Sequence, residues 1–423
     1  MIGILGAGLS GLFLASILQD EKKEFEILEK ADIPGGLCRS TREGGFTFDN
    51  TGGHIIYSKD KAILDKILSI LGDNAVKRRR NIKIYYKDRY VKYPFENSLS
   101  DLTKEDNFEC LIDFIETLTK KQNPPENFEE WIYQTFGKSI AEKYLIPYSR
   151  KIWKTDLKEI ATFWIENRVP KPPAEDIIKS SLGIETEGYT HQLFFYYPES
   201  GGIQSLTDIL AEKVRANLIT NFDIKQITKK QGKWIVSDGK ETKTFDNIVS
   251  TIPIQELLKA MKIPNEVSEA VKDLKYNSMM TVMLGVNGIK IPPYHGIYIP
   301  DPEVIANRIV LLNNMSSKVS PEGTCSIMAE VSYKDQSMSN EELIETISSY
   351  IRKMFGDFRL VFSKVVRNKY AYVIYDLGYN KNMKVIEEFL EQENIKVCGR
   401  FAEFKYLNMD DCIKSAIRVA KEL

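Results

Sequence analysis

The first twenty-nine residues constrain this chain more than any other stretch. Met1-Ile2-Gly3-Ile4-Leu5 reads as a short apolar strand, Gly6-Ala7-Gly8-Leu9-Ser10-Gly11 as a glycine turn, and residues 12–18 as an apolar-periodic helix. Phe25-Glu26-Ile27-Leu28 reads as a second strand and ends in Glu29. Strand, G-x-G-x-x-G, helix, strand, acid is the pattern of a βαβ dinucleotide site. Gly6 permits the tight turn, Gly8 lets backbone approach a pyrophosphate, and Gly11 lets the helix pack close to the strand. The helix N-terminus offers free N–H groups and a favourable dipole to the anion. Glu29 is placed to accept hydrogen bonds from a ribose diol.

Length sets the scale: 423 residues predict two or three domains. Lysine and arginine total 58 against 59 acids, a net charge of -1, so no global field recruits nucleic acid or an anionic membrane. Five scattered cysteines without a C-x-x-C argue against a disulfide framework or zinc site and for a reducing, cytoplasmic setting. No apolar run reaches the length of a membrane span, and the N-terminal run reads as a strand rather than a signal peptide. A homo-oligomer is compatible with all of this.

Beyond Glu29, the Gly35-Gly36 pair beside Arg39 offers backbone donors and a cation to a second phosphate or a flavin edge. Thr51-Gly52-Gly53-His54 reads as a tight turn where backbone passes close to a flat ring, and residues 58–71 as a helix. Lys77-Arg78-Arg79-Arg80 reads as a solvated basic edge. Residues 82–93 read as a hairpin turning at Lys87-Asp88. Residues 99–167 are helical in texture, with a break at Gly137, a helix ended by Pro147-Tyr148, and prolines 170, 172 and 173 closing the insert. Residues 222–227, 234–236 and 245–252 read as strands, and residues 278–286, 297–299, 308–312 and 325–331 as an antiparallel sheet. Helix 341–354, strand 364–372, a short strand 395–400 ending in Gly399-Arg400 and an amphipathic helix 410–423 complete the chain.

The expected architecture is α/β plus α+β. A discontinuous Rossmann-like FAD-binding domain (1–75, 200–255, 390–423) carries a helical domain (98–175) and an antiparallel-sheet substrate domain (76–97, 176–199, 256–389). FAD is favoured over NAD because the fingerprint opens the chain and a terminal strand-Gly-Arg-helix can return to the same site, where the helix start with Asp410 and Asp411 faces the ribityl or pyrophosphate region. The three histidines, His54, His191 and His295, form no metal cluster and no nucleophile motif is present, so a cofactor carries the chemistry.

Downstream segments carry a family resemblance. Gly52-Gly53-His54-Ile55-Ile56-Tyr57 resembles a GGHVIF segment, Tyr93-Pro94-Phe95-Glu96-Asn97 a YPFQN segment, and Pro147-Tyr148-Ser149-Arg150-Lys151-Ile152-Trp153 a PYNxKVW segment. These resemble the UDP-galactopyranose mutases, within the superfamily of FAD-containing amine oxidases and protoporphyrinogen oxidases. The resemblance runs from end to end. It implies an isomerase in which N5 of reduced FAD attacks the anomeric carbon of a nucleotide sugar, interconverting UDP-galactopyranose and UDP-galactofuranose for a glycan, with NAD(P)H as reductant.

The resemblance also distributes roles. His54 lies by the flavin, and Arg168 and Arg308, at the family's spacings from Trp153 and Tyr298, grip the diphosphate; guanidinium forks suit its oxygens. Flavin contacts fall on Gly6, Gly8, Leu9, Ser10, Gly11, Glu29, Lys30, Gly36, Leu37, Arg39, Gly52, Gly53, Ile224, Gly399, Arg400, Asn408 and Met409. Tyr93, Phe95, Glu96, Ser149, Trp153, Gln192, Tyr298, Tyr372 and Tyr406 fall to the substrate. Glu96, Ser149 and Gln192 depart from the family's Gln, Asn and Asn. An ionised Glu96 accepts but cannot donate, which suits guanine better than uracil. A flavin oxidase or desaturase acting by hydride removal is the alternative, although an apolar amine or porphyrin needs no paired arginines.

Overall fold

A computed structural model describes residues 1–169, 171–186, 193–334 and 338–423. At its centre the strand Ile2–Leu5 is flanked in parallel by Phe25–Leu28 and Asn247–Ser250. Leu218–Ile219 and Lys396–Val397 form the two edges of this five-stranded sheet. The strands are buried on both faces, which is why they read as unbroken apolar runs. Ile4 and Ile27 point to one face, covered by helices Leu9–Asp20, Lys61–Leu71, Gln204–Lys213 and Met409–Ala420. Leu5 and Leu28 point to the other, covered by a three-stranded sheet and helices Ile254–Lys259, Asn265–Asp273 and Tyr379–Gln392. The sheet is therefore completed by a strand and helix from the far end of the chain, as the terminal motif anticipates.

The second sheet has seven strands, in the order Arg359–Val373, Tyr276–Asn287, Thr324–Tyr333, Arg308–Leu311, Gly296–Tyr298, Ile82–Tyr86 and Arg89–Lys92. All its pairings are antiparallel except that of Gly296–Tyr298 with Ile82–Tyr86, so the sheet is mixed. The hairpin turns at Lys87 and Asp88, both in the left-handed region that a two-residue turn requires. Arg308 and Glu330 are direct cross-strand partners, which places their side chains on one face. The helical insert comprises Lys104–Thr119, Phe128–Ile140, Ile146–Trp153 and Ala174–Ser181, packed around Phe95, Phe114, Phe136 and Tyr144.

Several local expectations fail. Pro147 does not end a helix: Ile146–Trp153 continues from Phe128–Ile140 through a π-helical segment, Ala141–Leu145, whose wider turn accommodates the proline. The basic run is not a free edge: Ala75–Arg79 is a strand paired antiparallel with Phe194–Pro198. The strand expected from residue 222 begins at Gln226, leaving Phe222, Asp223 and Ile224 as loop. Helix Lys61–Leu71 starts later than expected because Asp60 caps it, accepting from the backbone N–H of Ala62 and Ile63. The structure adds a helix, Tyr379–Gln392, in which Tyr379, Met383, Ile386 and Leu390 have helical spacing and are buried. Pro170, His191 and Gln192 lie outside the described residues.

Candidate active site

One cavity of about 800 Å³ runs from the glycine turn to the mixed sheet. Its inner wall is backbone. Gly6 has a φ of 101°, and a Cβ at Gly11 would lie 2.1 Å from the carbonyl oxygen of Gly6, so the turn and the helix close only on glycine. Gly8 faces Gly36 so closely that a Cβ on Gly36 would meet the Gly8 Cα at 3.0 Å. Gly6, Gly8, Leu9, Ser10, Glu29, Lys30, Gly36, Leu37, Arg39, Gly53, His54, Ile224, Arg400, Asn408 and Met409 all line the cavity. Gly11, Gly52 and Gly399 lie behind it. A Cβ on Gly399 would strike Ser10 Oγ at 2.2 Å, so this glycine lets the returning chain meet the first helix.

Glu29 is already engaged. Its carboxylate accepts from the N–H of Ala7 at 2.8 Å and of Ala31 at 2.9 Å, tying the glycine turn to the second strand and leaving each oxygen a further lone pair. The acids at the start of the last helix do not face the cavity as expected. Asp410 accepts from Ser58 Oγ at 2.7 Å, and Asp411 caps its helix through the N–H of Asn408 at 3.2 Å.

The outer wall is made of side chains. Tyr298, Arg308, Tyr372, Arg400 and Tyr406 line it. Tyr372 and Tyr406 stack with centroids 5.8 Å apart, and the Arg400 guanidinium sits 4.4 Å from the Tyr406 ring. Arg308 pairs with Glu330, whose side chain is wholly buried, and the same carboxylate accepts from the N–H of Gly53 at 3.0 Å. Sequence reading missed Glu330; a lone acid in a strand carries no signal until register sets it opposite Arg308. It also explains Gly52, where a Cβ would lie 2.4 Å from that carboxylate. Glu330 thus joins the arginine to the loop of His54. Enclosure lowers the His54 pKa, opposed by Asp49, so the imidazole is neutral at pH 7.

Other expected substrate residues stand farther back. Arg168 does not line the cavity: it donates to the Tyr406 carbonyl, pairs with Asp411 at 3.1 Å and lies over the Tyr406 ring at 5.1 Å. Phe95, Glu96, Ser149 and Trp153 are buried behind the wall, and Tyr93 packs on two cavity-lining residues, Tyr298 with centroids 5.2 Å apart and Arg80 with its guanidinium 4.8 Å from the ring. Burial pushes the Glu96 carboxyl up to about 7.

A flavin dinucleotide fits these residues. The glycine cradle leaves no room for side chains, and the cavity-lining Thr51 Oγ1, His54 Nδ1, Arg39 Nε, Arg308 Nε and Arg400 Nε are buried without a hydrogen-bond partner among the described residues. No group of described His, Cys, Asp and Glu residues has the geometry of a metal site. No described helix is long and apolar enough to cross a membrane.

A βαβ glycine cradle completed by a terminal strand and helix, facing a wall on a mixed sheet, defines a flavin-dependent enzyme fold. Residues 9–423 match the model of the flavin containing amine oxidoreductases, and the chain belongs to that family. It is similar to the UDP-galactopyranose mutase of Mycoplasma genitalium, 22% identical over 99% of this chain and 94% of that one. The mutase of Mycoplasma pneumoniae is 27% identical over 37% of this chain, and the match spans only 41% of that relative. A crystal structure of reduced UDP-galactopyranose mutase superposes with a TM-score of 0.93 at 26% identity, covering 100% of this chain and 94% of that one. A protoporphyrinogen oxidase-like structure from Exiguobacterium, at 18% identity and a TM-score of 0.78, shares the fold.

Proposed function

We propose that this chain is a flavin-dependent nucleotide-sugar mutase, with UDP-galactopyranose and UDP-galactofuranose as the expected pair and FAD as the cofactor. The observation that carries this reading is the outer wall: Arg308, Arg400, Tyr298, Tyr372 and Tyr406 converge on a cavity whose other side is a dinucleotide cradle. Two guanidinium groups among phenol hydroxyls suit a diphosphate. An apolar amine would offer neither of them a further acceptor beyond Glu330 for Arg308 and the Ala371 and Leu407 carbonyls for Arg400. The likeness to mutases over the whole chain supports the same reading.

Reduced flavin, when bound, supplies the nucleophile at N5, and NAD(P)H is the proposed reductant. The chain's own residues bind and orient. Arg308, fixed by Glu330, holds one face of the diphosphate, and Arg168 joins it by leaving Asp411. Tyr298, Tyr372 and Tyr406 direct hydroxyls at its oxygens and exclude water. Neutral His54 keeps its loop against the flavin without adding charge.

Glu96 then takes a different role from the one its charge suggests. Near pH 7 a large fraction of the acid is neutral, and a neutral carboxyl donates once and accepts once, as the family's amide does. A base that reaches Glu96 must first displace the residues in front of it, and a protonated Glu96 then offers uracil one donor and one acceptor. Titrating UDP, GDP and dTDP into the protein at pH 6 tests this; preference for GDP there rules it out. The cytoplasm and a surface-glycan pathway are the proposed setting.

A further inference from the structure

Helix Ile146–Trp153 supplies Tyr148, Ser149 and Trp153 to the region behind the wall, and it carries one buried cation, Lys151. Lys151 Nζ donates to the carbonyl of Ile299 at 2.8 Å and of Asp301 at 2.7 Å. Both carbonyls belong to the loop that leaves Tyr298 and returns at Arg308. The N–H of Ile299 closes this loop onto the Asn307 carbonyl at 3.1 Å, and the N–H of Asn307 donates to the Glu330 carbonyl at 2.8 Å. Tyr148 packs on Tyr298 with centroids 5.1 Å apart. Lys151 therefore bridges the helical insert and the segment whose two ends are wall residues.

Packing does not explain a lysine here. Neither acceptor is a carboxylate, and burial lowers the ammonium's pKa to about 7, with Asp301 opposing. An apolar side chain of the same length would fill the space without that desolvation cost. What lysine adds is two donors at the end of a long stem.

We propose that Lys151 is a positioning residue: it latches the helical insert onto the Tyr298–Arg308 loop and so fixes the two wall residues at the loop's ends that hold a diphosphate. The inference rests on the nucleotide-sugar reading of the outer wall. Without the latch, Arg308 keeps Glu330 and Tyr298 keeps Tyr148, but the loop between them is no longer tied to the helix and the diphosphate site loosens.

The test titrates UDP into flavin-loaded wild type, Lys151→Met and Lys151→Arg by calorimetry, with kcat and KM for UDP-galactose measured on the reduced enzymes. Lys151→Met removes the donors at nearly constant shape. Its Kd for UDP and its KM rise about tenfold, while kcat falls less than about threefold and the flavin spectrum is unchanged. Lys151→Arg, which keeps donors, recovers affinity to within about threefold of wild type. Unchanged UDP affinity in flavin-loaded Lys151→Met overturns the latch, as does an Arg variant as weak as the Met variant. If Lys151→Met loses its flavin, hydrogen–deuterium exchange on the wild-type holoenzyme decides. UDP then slows exchange in residues 146–153 and 299–307 together, and slowing confined to the loop overturns the latch. Wild type that binds none of UDP, GDP and dTDP removes the nucleotide-sugar reading, and the latch with it; wild type that binds UDP while Lys151→Met binds equally removes the latch alone.

Discussion

The glycine cradle and the arginine–tyrosine wall face each other across one cavity and are built on opposite plans. The cradle is backbone, closed by local contacts between Gly6, Gly8, Gly11 and Gly36 and sealed by Gly399, two residues past the last strand. The wall is side chains from Tyr298, Arg308, Tyr372, Arg400 and Tyr406, held by partners such as Glu330 and Tyr148 that touch no cavity. A backbone site fails when any atom is added. A side-chain site fails by degrees, as each partner is loosened.

The largest effect is expected in the cradle. Gly11→Val places carbon against the Gly6 carbonyl, where neither helix nor turn can yield, and the protein emerges without visible flavin absorbance. Retained flavin in Gly11→Val would break the contrast between the two walls.

Next comes Arg308→Ala. Turnover falls by about 10²–10³ while flavin stays bound. The variant is also destabilised by about 3–5 kcal/mol because Glu330 remains buried and unpaired. Adding Glu330→Gln recovers most of that stability and none of the activity, measured by urea unfolding and turnover side by side.

Glu96 gives an effect of intermediate size that depends on pH. Its folded-state pKa is raised, so the folded protein binds the proton more tightly than the unfolded chain. Stability contributed by the neutral acid is fully present below the unfolded value of 4.5 and is lost as pH rises through about 7. Glu96→Gln removes a penalty that reaches about 3 kcal/mol above pH 7, so it melts higher than wild type at pH 8 but not at pH 4. Its UDP affinity also changes less between pH 6 and 8 than that of wild type.

The smallest effect belongs to Asp411→Asn. This change frees Arg168 from a partly buried ion pair worth about 1 kcal/mol, and UDP binding tightens by roughly twofold to fivefold. Weaker binding would place Arg168 outside the diphosphate site.

The same contrast sets what could be read from the sequence. Gly6 through Glu29 lie within one βαβ unit, so spacing alone carries their geometry. The Lys87-Asp88 hairpin and the Met409–Ala420 helix were legible for the same local reason. Glu330 was not, because its role comes from strand register with Arg308, and Lys151 was not, because its acceptors are carbonyls 148 and 150 residues away. Glu96 was legible as a departure from the family, but its protonation follows from burial that no local pattern displays.

The most direct test of the account is turnover by the purified flavoprotein. UDP-galactopyranose is offered with the flavin oxidised and with it reduced by dithionite under anaerobic conditions, and products are separated by chromatography. A UDP-galactofuranose peak is expected with reduced flavin alone. No furanose from UDP-galactose or any other nucleotide sugar, together with oxygen uptake when amines are supplied, would contradict it.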